Sequence, residues 1–364
     1  MKTFDIGDYY IEQFKLEDPH GKDLIDLITS SFLNDEAAQS DGASIVFNEQ
    51  TFYTLFGTPS TEKDFFVRAI DKKTKAIVGF LGTIPRNLAI NGEQYKFAIP
   101  SWLAVHHKHQ RKGIAKALGK GLLEIAKEKG YDGGFALHEP EQHGIDTSKA
   151  VARETNIPLH RLVWITKYVI RVFDVDKIAS VVKLRWYEKL FFRFKVKIPE
   201  VQNSNIRFFK PDDIKQIYEL IQDLVKRNQI AIVQEFKDIE WFFQNKNVLC
   251  IVHENNEGKI DGFITAWEFN LAGFGNVIEF GWLDMVHTYK LKNNEIRDLA
   301  NFFTVEAKKK GWKGLQTPYI PYFDAKPFQK ANFIFFPKKL SLDLFNIKNI
   351  PIPEKIDSFY FDWR

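Results

Sequence analysis

The sequence predicts an α/β (α+β) protein built from two tandem lobes, each a mostly antiparallel twisted sheet flanked by helices. Three observations carry that expectation. In the first half, strand-like segments and an Asn91-Gly92 hairpin signal place a meander ahead of one glycine-opened helix. The pattern of residues 101–133 returns at 281–314, with Trp-Leu, Val-His, a helix and Lys-x-x-Gly-aromatic-x-Gly in the same order. Between the copies, a polar linker-like stretch at 200–205 is followed by a new strand–helix pattern from Ile206. The lobes are expected to divide as residues 1–198 and 199–364.

The elements run in order. Residues 9–16 read as a strand, and 22–33 as a helix through Leu24, Ile25, Leu27 and Ile28. Strands are expected at 64–71 and 76–85 around a Lys-Lys-Thr-Lys turn, then a hairpin over 88–99 and a short apolar strand over 100–107. From Lys112 the period becomes helical and runs to Lys129, where Gly130 stops it. Residues 133–138 form the next strand. The basic-aromatic stretch 183–200 reads either as a membrane or RNA contact or as an amphipathic crossover. The crossover is favoured, with Trp186, Leu190 and Phe191 buried and the lysines solvated.

Bulk properties narrow the classes. The hydrophobic share of 45% is ample for real cores and argues against disorder. The net charge of +4 is scattered along the chain and does not indicate a nucleic-acid partner. The single cysteine, Cys250, excludes an intramolecular disulfide, and no Cys/His cluster has metal spacing. No apolar signal-peptide core or bilayer-length apolar run is found. A soluble, cytoplasmic, monomeric protein is expected, without metal, nucleic-acid partner or integral membrane association.

The informative stretch is Gln110-Arg111-Lys112-Gly113-Ile114-Ala115, between an apolar strand and a helix. A loop of this kind presents free backbone N–H groups, and the helix dipole adds positive potential. Gly113 lets a ligand approach without a Cβ in the way, Ala115 is small, and Arg111 and Lys112 add charge. The combination suits a pyrophosphate. The Gly-Lys-Ser/Thr ending of a Walker loop and the G-x-G-x-x-G dinucleotide fingerprint are both missing. The second copy reads Tyr-Lys-Leu-Lys-Asn-Asn there and lacks the glycine and the arginine, so one coenzyme site per chain is expected.

The stretch resembles the [Gln/Arg]-x-x-Gly-x-[Gly/Ala] signature of the GNAT acyltransferase superfamily, whose loop binds the pyrophosphate of coenzyme A. Over about residues 10–360 the chain is similar to the protein N-myristoyltransferase family, which consists of two fused GNAT lobes. The segments that carry this are 78–90, 101–118, 194–200, 206–243, 328–336 and 344–348. The family has arginine where this chain has Gly113. Its Lys-Phe-Gly-x-Gly-Asp-Gly signature falls at 332–338, which contains no glycine or aspartate, and its long N-terminal segment has no counterpart in this sequence.

The resemblance implies a site. Leu103, Ala104, Val105, Gln110, Arg111, Lys112, Gly113, Ile114 and Ala115 would hold acyl-CoA, either myristoyl-CoA or acetyl-CoA, as cosubstrate. The backbone N–H groups of Trp102 and Leu103 would form the oxyanion hole, freed by a bulge beside Pro100. The family uses its C-terminal carboxylate, buried in the first lobe, as base. That role would fall to Arg364, with Asp362 or the loop residues His138, Glu139, Glu141 and His143 as other sources. Tyr319, Tyr322 and Asp324 are candidates for an acceptor groove. His106 is expected to be structural. The reading that results is an acyl-CoA-dependent N-acyltransferase acting on an amine, foremost a protein N-terminal glycine. The alternatives are a GNAT N-acetyltransferase for a small amine or other peptide, and a non-catalytic acyl-CoA-binding protein.

Overall fold

The structure, a computed structural model, describes residues 2–140, 144–199, 201 and 205–364. The chain opens with β1 (Thr3–Ile6), β2 (Tyr9–Phe14), α1 (Lys22–Leu33), α2 (Glu36–Asp41), β3 (Ser44–Val46) and α3 (Glu49–Phe56). Next come β4 (Phe66–Asp71), β5 (Ile77–Ile90), β6 (Glu93–Val105), α4 (Ile114–Glu128), β7 (Gly133–His138) and α5 (Gly144–Thr155). β8 (Leu159–Val172), α6 (Val175–Ala179) and α7 (Trp186–Lys195) complete this half. The restart holds β9 (Ile206–Phe208), α8 (Ile214–Arg227), β10 (Ile230–Val233), α9 (Phe236–Gln244), β11 (Val248–Glu254), β12 (Ile260–Gly273) and β13 (Asn276–His287). Last are α10 (Asn293–Lys309), β14 (Gly314–Pro318), α11 (Ala325–Lys330), β15 (Ile334–Asn346) and β16 (Phe359–Tyr360).

The contacts group these elements into two compact units. The first holds Met1–Glu36, Val46–Ile165 and Lys339–Asp357; the second holds Ala37–Ile45, Thr166–Lys338 and Ser358–Arg364. The chain passes between units within β8, at 165/166, whereas the sequence reading divides it at 198/199. Compactness and sequence duplication thus mark different points, because late segments return to both units. Residues 200 and 202–204 of the linker-like stretch lie outside the described residues.

In the first unit, β1, β2, β4, β5 and β6 are antiparallel neighbours in that order. β7 is parallel to β6, and residues 341–346 of β15 run antiparallel to β7. α4 buries Ile114, Ala117, Leu118, Leu122 and Ile125 against Ile11, Val67 and Ala69, the apolar stripe that its period predicts. α3, absent from the sequence reading, starts where the Asn48 side chain accepts a hydrogen bond from the Thr51 N–H.

The second unit repeats this plan. β9, β11, β12 and β13 are antiparallel neighbours, β14 is parallel to β13, and residues 168–172 of β8 run antiparallel to β14. The duplication extends to the kind of pairing, although the parallel pairs stop at Ala98, well before the bulge at Trp102, in the first unit and at Trp282, just before the bulge at Asp284, in the second. In both units two residue pairs join the parallel strands: Phe97 and Ala98 with Gly133 and Gly134, and Gly281 and Trp282 with Leu315 and Gln316. A bulge also interrupts each long hairpin. Trp102 and Leu103 lie opposite Leu81, and Asp284 and Met285 lie opposite Thr265.

Two expectations are corrected. Trp186, Leu190 and Phe191 are exposed on α7, and no residue of that helix is buried. The aromatic tail is buried, but it groups with the second unit, not the first. The reason is local. Phe359 and Tyr360 pair with Ile230 and Ala231 of β10, and the Arg364 guanidinium meets Asp284 at 2.8 Å and lies 3.6 Å from the Phe242 ring centre. The Gln234 amide donates to Asp362 and accepts from Arg364. Removing one partner of a fully buried pair leaves an uncompensated charge. Asp284→Ala is therefore expected to lower stability by about 3–5 kcal/mol in urea unfolding followed by circular dichroism, and a loss below about 1 kcal/mol would show that the guanidinium is solvated.

Candidate active site

The site begins with a strand that stops pairing. β6 and β7 are joined only where Phe97 meets Gly133 and Ala98 meets Gly134. Pro100 follows two residues after Ala98 in β6, with no N–H to continue a ladder. A Cβ on Gly134 would sit 3.0 Å from the Ala98 carbonyl, so glycine sets how closely the strands approach before they part. Two residues beyond Pro100, the backbone of Trp102 has φ 63°, the left-handed region that tryptophan rarely adopts. Its indole is held edge-on by Phe47 at 4.6 Å and Phe32 at 5.9 Å. This is the bulge expected beside Pro100.

Comparison of the two units shows what the bulge exposes. In the second unit the Met285 N–H donates to Thr265 Oγ1 at 3.0 Å. The equivalent register position in the first unit is Leu81, whose side chain has no acceptor to offer the Leu103 N–H. One bulge is met by a side-chain hydroxyl, and the residue opposite the other bulge has none to offer. A pair of such N–H groups at a strand edge is an oxyanion-hole arrangement.

The loop that opens α4 shows a second contrast. Gly113 is the N-cap residue at φ 79°, no side chain caps the helix, and the first turn carries no acid. Space beside Gly113 is open, with nothing within 4 Å of a notional Cβ. Arg111 also has a positive φ, 61°, and its side chain is 88% exposed. Two left-handed residues just ahead of an uncapped helix start are a backbone arrangement that suits phosphate. In the second unit the Glu295 carboxylate accepts from the Lys292 N–H at 2.8 Å, filling the start of α10 with negative charge.

Other candidate residues have structural duties. Lys112 turns from the loop and donates to the Tyr9 hydroxyl at 2.9 Å, a bond that raises its pKa. Val105 exchanges both backbone groups with Ser31 Oγ, at 3.2 and 3.0 Å, and its carbonyl also faces Gln110 Nε2 at 3.4 Å. Gln110 therefore braces the loop. Ala104 is buried opposite Phe80, Ile114 is buried in the core, and Leu103 and Ala115 pack at its margin. His106 accepts from the Lys108 N–H at 3.3 Å in the turn after β6. Asp324 caps α11 through the Lys326 N–H, the Tyr319 hydroxyl donates to the Phe323 carbonyl at 3.0 Å, and Tyr322 packs on Tyr360. These contacts fix the positions of all three.

The sequence reading missed one cluster. His138, at the end of β7, is a buried residue. Its Nδ1 lies 2.9 Å from Asp343 and its Nε2 lies 2.8 Å from Ser148 on α5. Ser341 Oγ and Arg161 Nε also donate to Asp343, at 2.6 and 3.0 Å. Residues 138 and 343 are far apart in sequence, and only the β7–β15 register joins them. Glu141 and His143, two other candidate loop residues, lie outside the described residues. Among the described residues no group of three His, Cys, Asp or Glu could hold a metal, and no helix is long and apolar enough to cross a membrane.

With this geometry in view, comparison with known proteins is direct. Residues 18–136 match the acetyltransferase (GNAT) domain. They span the meander, the bulge and the loop at Gly113. The chain is also similar to glycylpeptide N-tetradecanoyltransferase of Kluyveromyces lactis, 24% identical over 252 residues, which cover 67% of this chain and 52% of the relative. It is 28% identical to glycylpeptide N-tetradecanoyltransferase 2 of Bos taurus over 195 residues, 52% of this chain and 36% of that protein. The matches thus span about half or less of these relatives. The fold matches Saccharomyces cerevisiae N-myristoyltransferase, solved with bound myristoyl-CoA, at a TM-score of 0.78 and 16% identity, over 95% of this chain and 84% of that one.

The geometry makes two outcomes testable. Gly113→Glu is expected to abolish coenzyme A binding in calorimetry, because it sets a carboxylate against the phosphates. Gly113→Ala, which meets only the left-handed backbone cost of about 1–2 kcal/mol, should retain much of it. Equal affinity of Gly113→Glu and wild type would refute the loop as a phosphate site. The second concerns Asp343. Burial alone would raise its pKa, but the bonds from His138 and Ser341 and the Arg161 charge prevail and lower it below the ordinary 3.8. A depressed carboxylate stabilises the fold above the unfolded value, and the contribution is lost as pH falls through the folded value, so the window lies below a pH of about 4. Asp343→Asn should lower stability at neutral pH and flatten the decline below pH ~4 in chemical unfolding. An unchanged acid limb would remove Asp343 from the linkage.

Proposed function

We propose that the chain is an acyl-CoA-dependent N-acyltransferase. In this reading it moves an acyl group from a coenzyme A thioester to an amine, foremost the N-terminal glycine of a protein. The observation that carries the reading is the pairing, in one unit, of an uncapped Gly113 helix start with a bulge at Trp102 and Leu103 that the side chain opposite, Leu81, does not cap. The loop offers a seat for the diphosphate, and the gap between β6 and β7 offers room for the chain that joins it to the thioester. The names of the relatives, glycylpeptide N-tetradecanoyltransferases, support the amine acceptor and the long acyl group.

The residues divide the work. Arg111 and the N–H groups around Gly113 hold negative charge. The N–H groups of Trp102 and Leu103 meet the carbonyl oxygen as it gains charge under attack by the amine. Pro100 and the bulge keep them from the neighbouring strand. A preorganised donor of this kind contributes about 2.7–4 kcal/mol to lowering the barrier. Transfer of an acetyl group to a small amine is the second reading. It is favoured by Gly113 and by the segment 332–338, which lacks the glycines and aspartate of the family signature.

The test is turnover. With myristoyl-CoA or acetyl-CoA and glycine-initiated peptides, free thiol should appear together with acylated peptide, and faster with myristoyl-CoA. A preference for acetyl-CoA with a simple amine would move the assignment to the second reading, and no thiol release with any acceptor would sink both. Within the site, Leu81→Thr places opposite the bulge the hydroxyl that the second unit already has. It should lower kcat about 10²-fold or more while leaving coenzyme A affinity intact, whereas Leu81→Val should stay active. Full turnover by Leu81→Thr would remove the bulge N–H groups from the chemistry.

A further inference from the structure

The face of α7 that looks outward is the wrong one for a helix held only by its own fold. Trp186, Leu190 and Phe194 recur every four residues, and Tyr187 and Phe191 recur beside them, so the five form one continuous apolar arc. An amphipathic helix ordinarily buries such an arc. Here Trp186 is 77% and Phe194 74% exposed, and Tyr187, Leu190 and Phe191 are exposed as well. The opposite side carries Glu188, Lys189, Phe192 and Lys195, and all four are less exposed than the arc. The helix is turned inside out.

Polar contacts hold it in this orientation. The Glu188 side chain accepts from the Arg185 N–H at 2.6 Å, fixing the first turn. The guanidinium of Arg171, wholly buried, donates to the carbonyls of Lys195 and Lys197 at and beyond the last turn. A cation at the carboxyl end of a helix is favoured by the dipole. Arg193 reaches Asp176 at 3.0 Å. The helix is thus anchored at its two ends and by one polar edge, and the arc is left to solvent.

Charge identifies what such an arc fits. Residues 183–197 hold six basic side chains against the single carboxylate of Glu188. Lys183 and Lys197 are exposed at the two ends, and the half-buried Lys189 and Lys195 flank the arc, with Lys195 over the Phe191 ring at 5.9 Å. Aromatic side chains in the centre and lysines around them match the boundary of a bilayer, where rings sit at headgroup depth and ammonium groups reach lipid phosphates. A phosphodiester backbone would meet the lysines but gain nothing from a leucine and phenylalanines standing free.

We propose that α7 is a membrane-docking element that lays its apolar arc into the surface of an anionic lipid bilayer. The proposal does not depend on the acyl-transfer reading. A ten-residue helix with one basic rim gives weak, reversible, salt-sensitive association rather than permanent anchoring.

Flotation of the full chain with lipid vesicles tests this. The chain should float with phosphatidylcholine vesicles containing about a third phosphatidylserine, and not with phosphatidylcholine alone. It should be released near 1 M salt, where the Debye length is about 3 Å. Trp186→Ser combined with Phe194→Ser should lower the partition coefficient at least about tenfold, with a melting curve like that of wild type because neither ring is buried. No flotation of wild type, or equal flotation of the double variant, would overturn the proposal. So would binding of a single-stranded RNA oligonucleotide that outcompetes vesicles, or lipid-independent dimerisation abolished by the double variant, since each assigns the arc to another occupant.

Discussion

The candidate site depends on a ladder that is cut short. A parallel pair of strands is held by evenly spaced N–H···O bonds, and a single proline in one strand deletes a donor at a fixed place. Pro100 does this in β6, two residues past its last pairing with β7, and the bulge at Trp102 rotates the residues beyond it. Without the interruption, the N–H groups of β6 would be spent on a neighbour. With it, strand edges that proteins usually cover are left open over a short, defined stretch. The aromatic packing of Trp102 on Phe47 and Phe32 keeps the unusual backbone in place, so the opening belongs to the folded state and not to a fluctuation.

The duplicate has the topology without the chemistry of the candidate site. Apart from the extra β1, both units have a corresponding strand order, a two-pair parallel junction and a bulge in the long hairpin. They differ in two small chemical respects. Thr265 fills the bulge where Leu81 does not, and Glu295 fills the helix start where Gly113 leaves it bare. In the second unit a hydroxyl and a carboxylate occupy backbone donors, and donors taken by the protein are not available to a ligand.

Much of this was legible in the sequence. The helix over 22–33, the Asn91-Gly92 turn, and the helix stopped at Gly130 arise from local pattern. Gly113 and Pro100 are local signals too, since each acts through its own backbone. The features that were not legible depend on partners distant in the chain. His138, Ser148 and Asp343 come together only through the pairing of β7 with a strand some two hundred positions later. The direction of the Lys112 side chain is set by Tyr9, 103 positions earlier in the chain. For α7 the period correctly gave a helix with an apolar arc, but periodicity does not say which face the rest of the protein holds. Arg171, Asp176 and the end carbonyls decided that, and hydrophobicity did not.

The path of the chain carries a consequence for how the molecule is made. Residues 339–357 complete the first unit, yet they leave the ribosome after all of Thr166–Lys338. The amino-terminal sheet therefore waits, with the free edge of β7 unprotected, until the strand containing Asp343 arrives. Domains that close on segments from far along the polypeptide assemble slowly and expose adhesive edges meanwhile. Biogenesis of this protein is ordered from its far end, and a fragment cut at the apparent midpoint would lack the strand that finishes its first half.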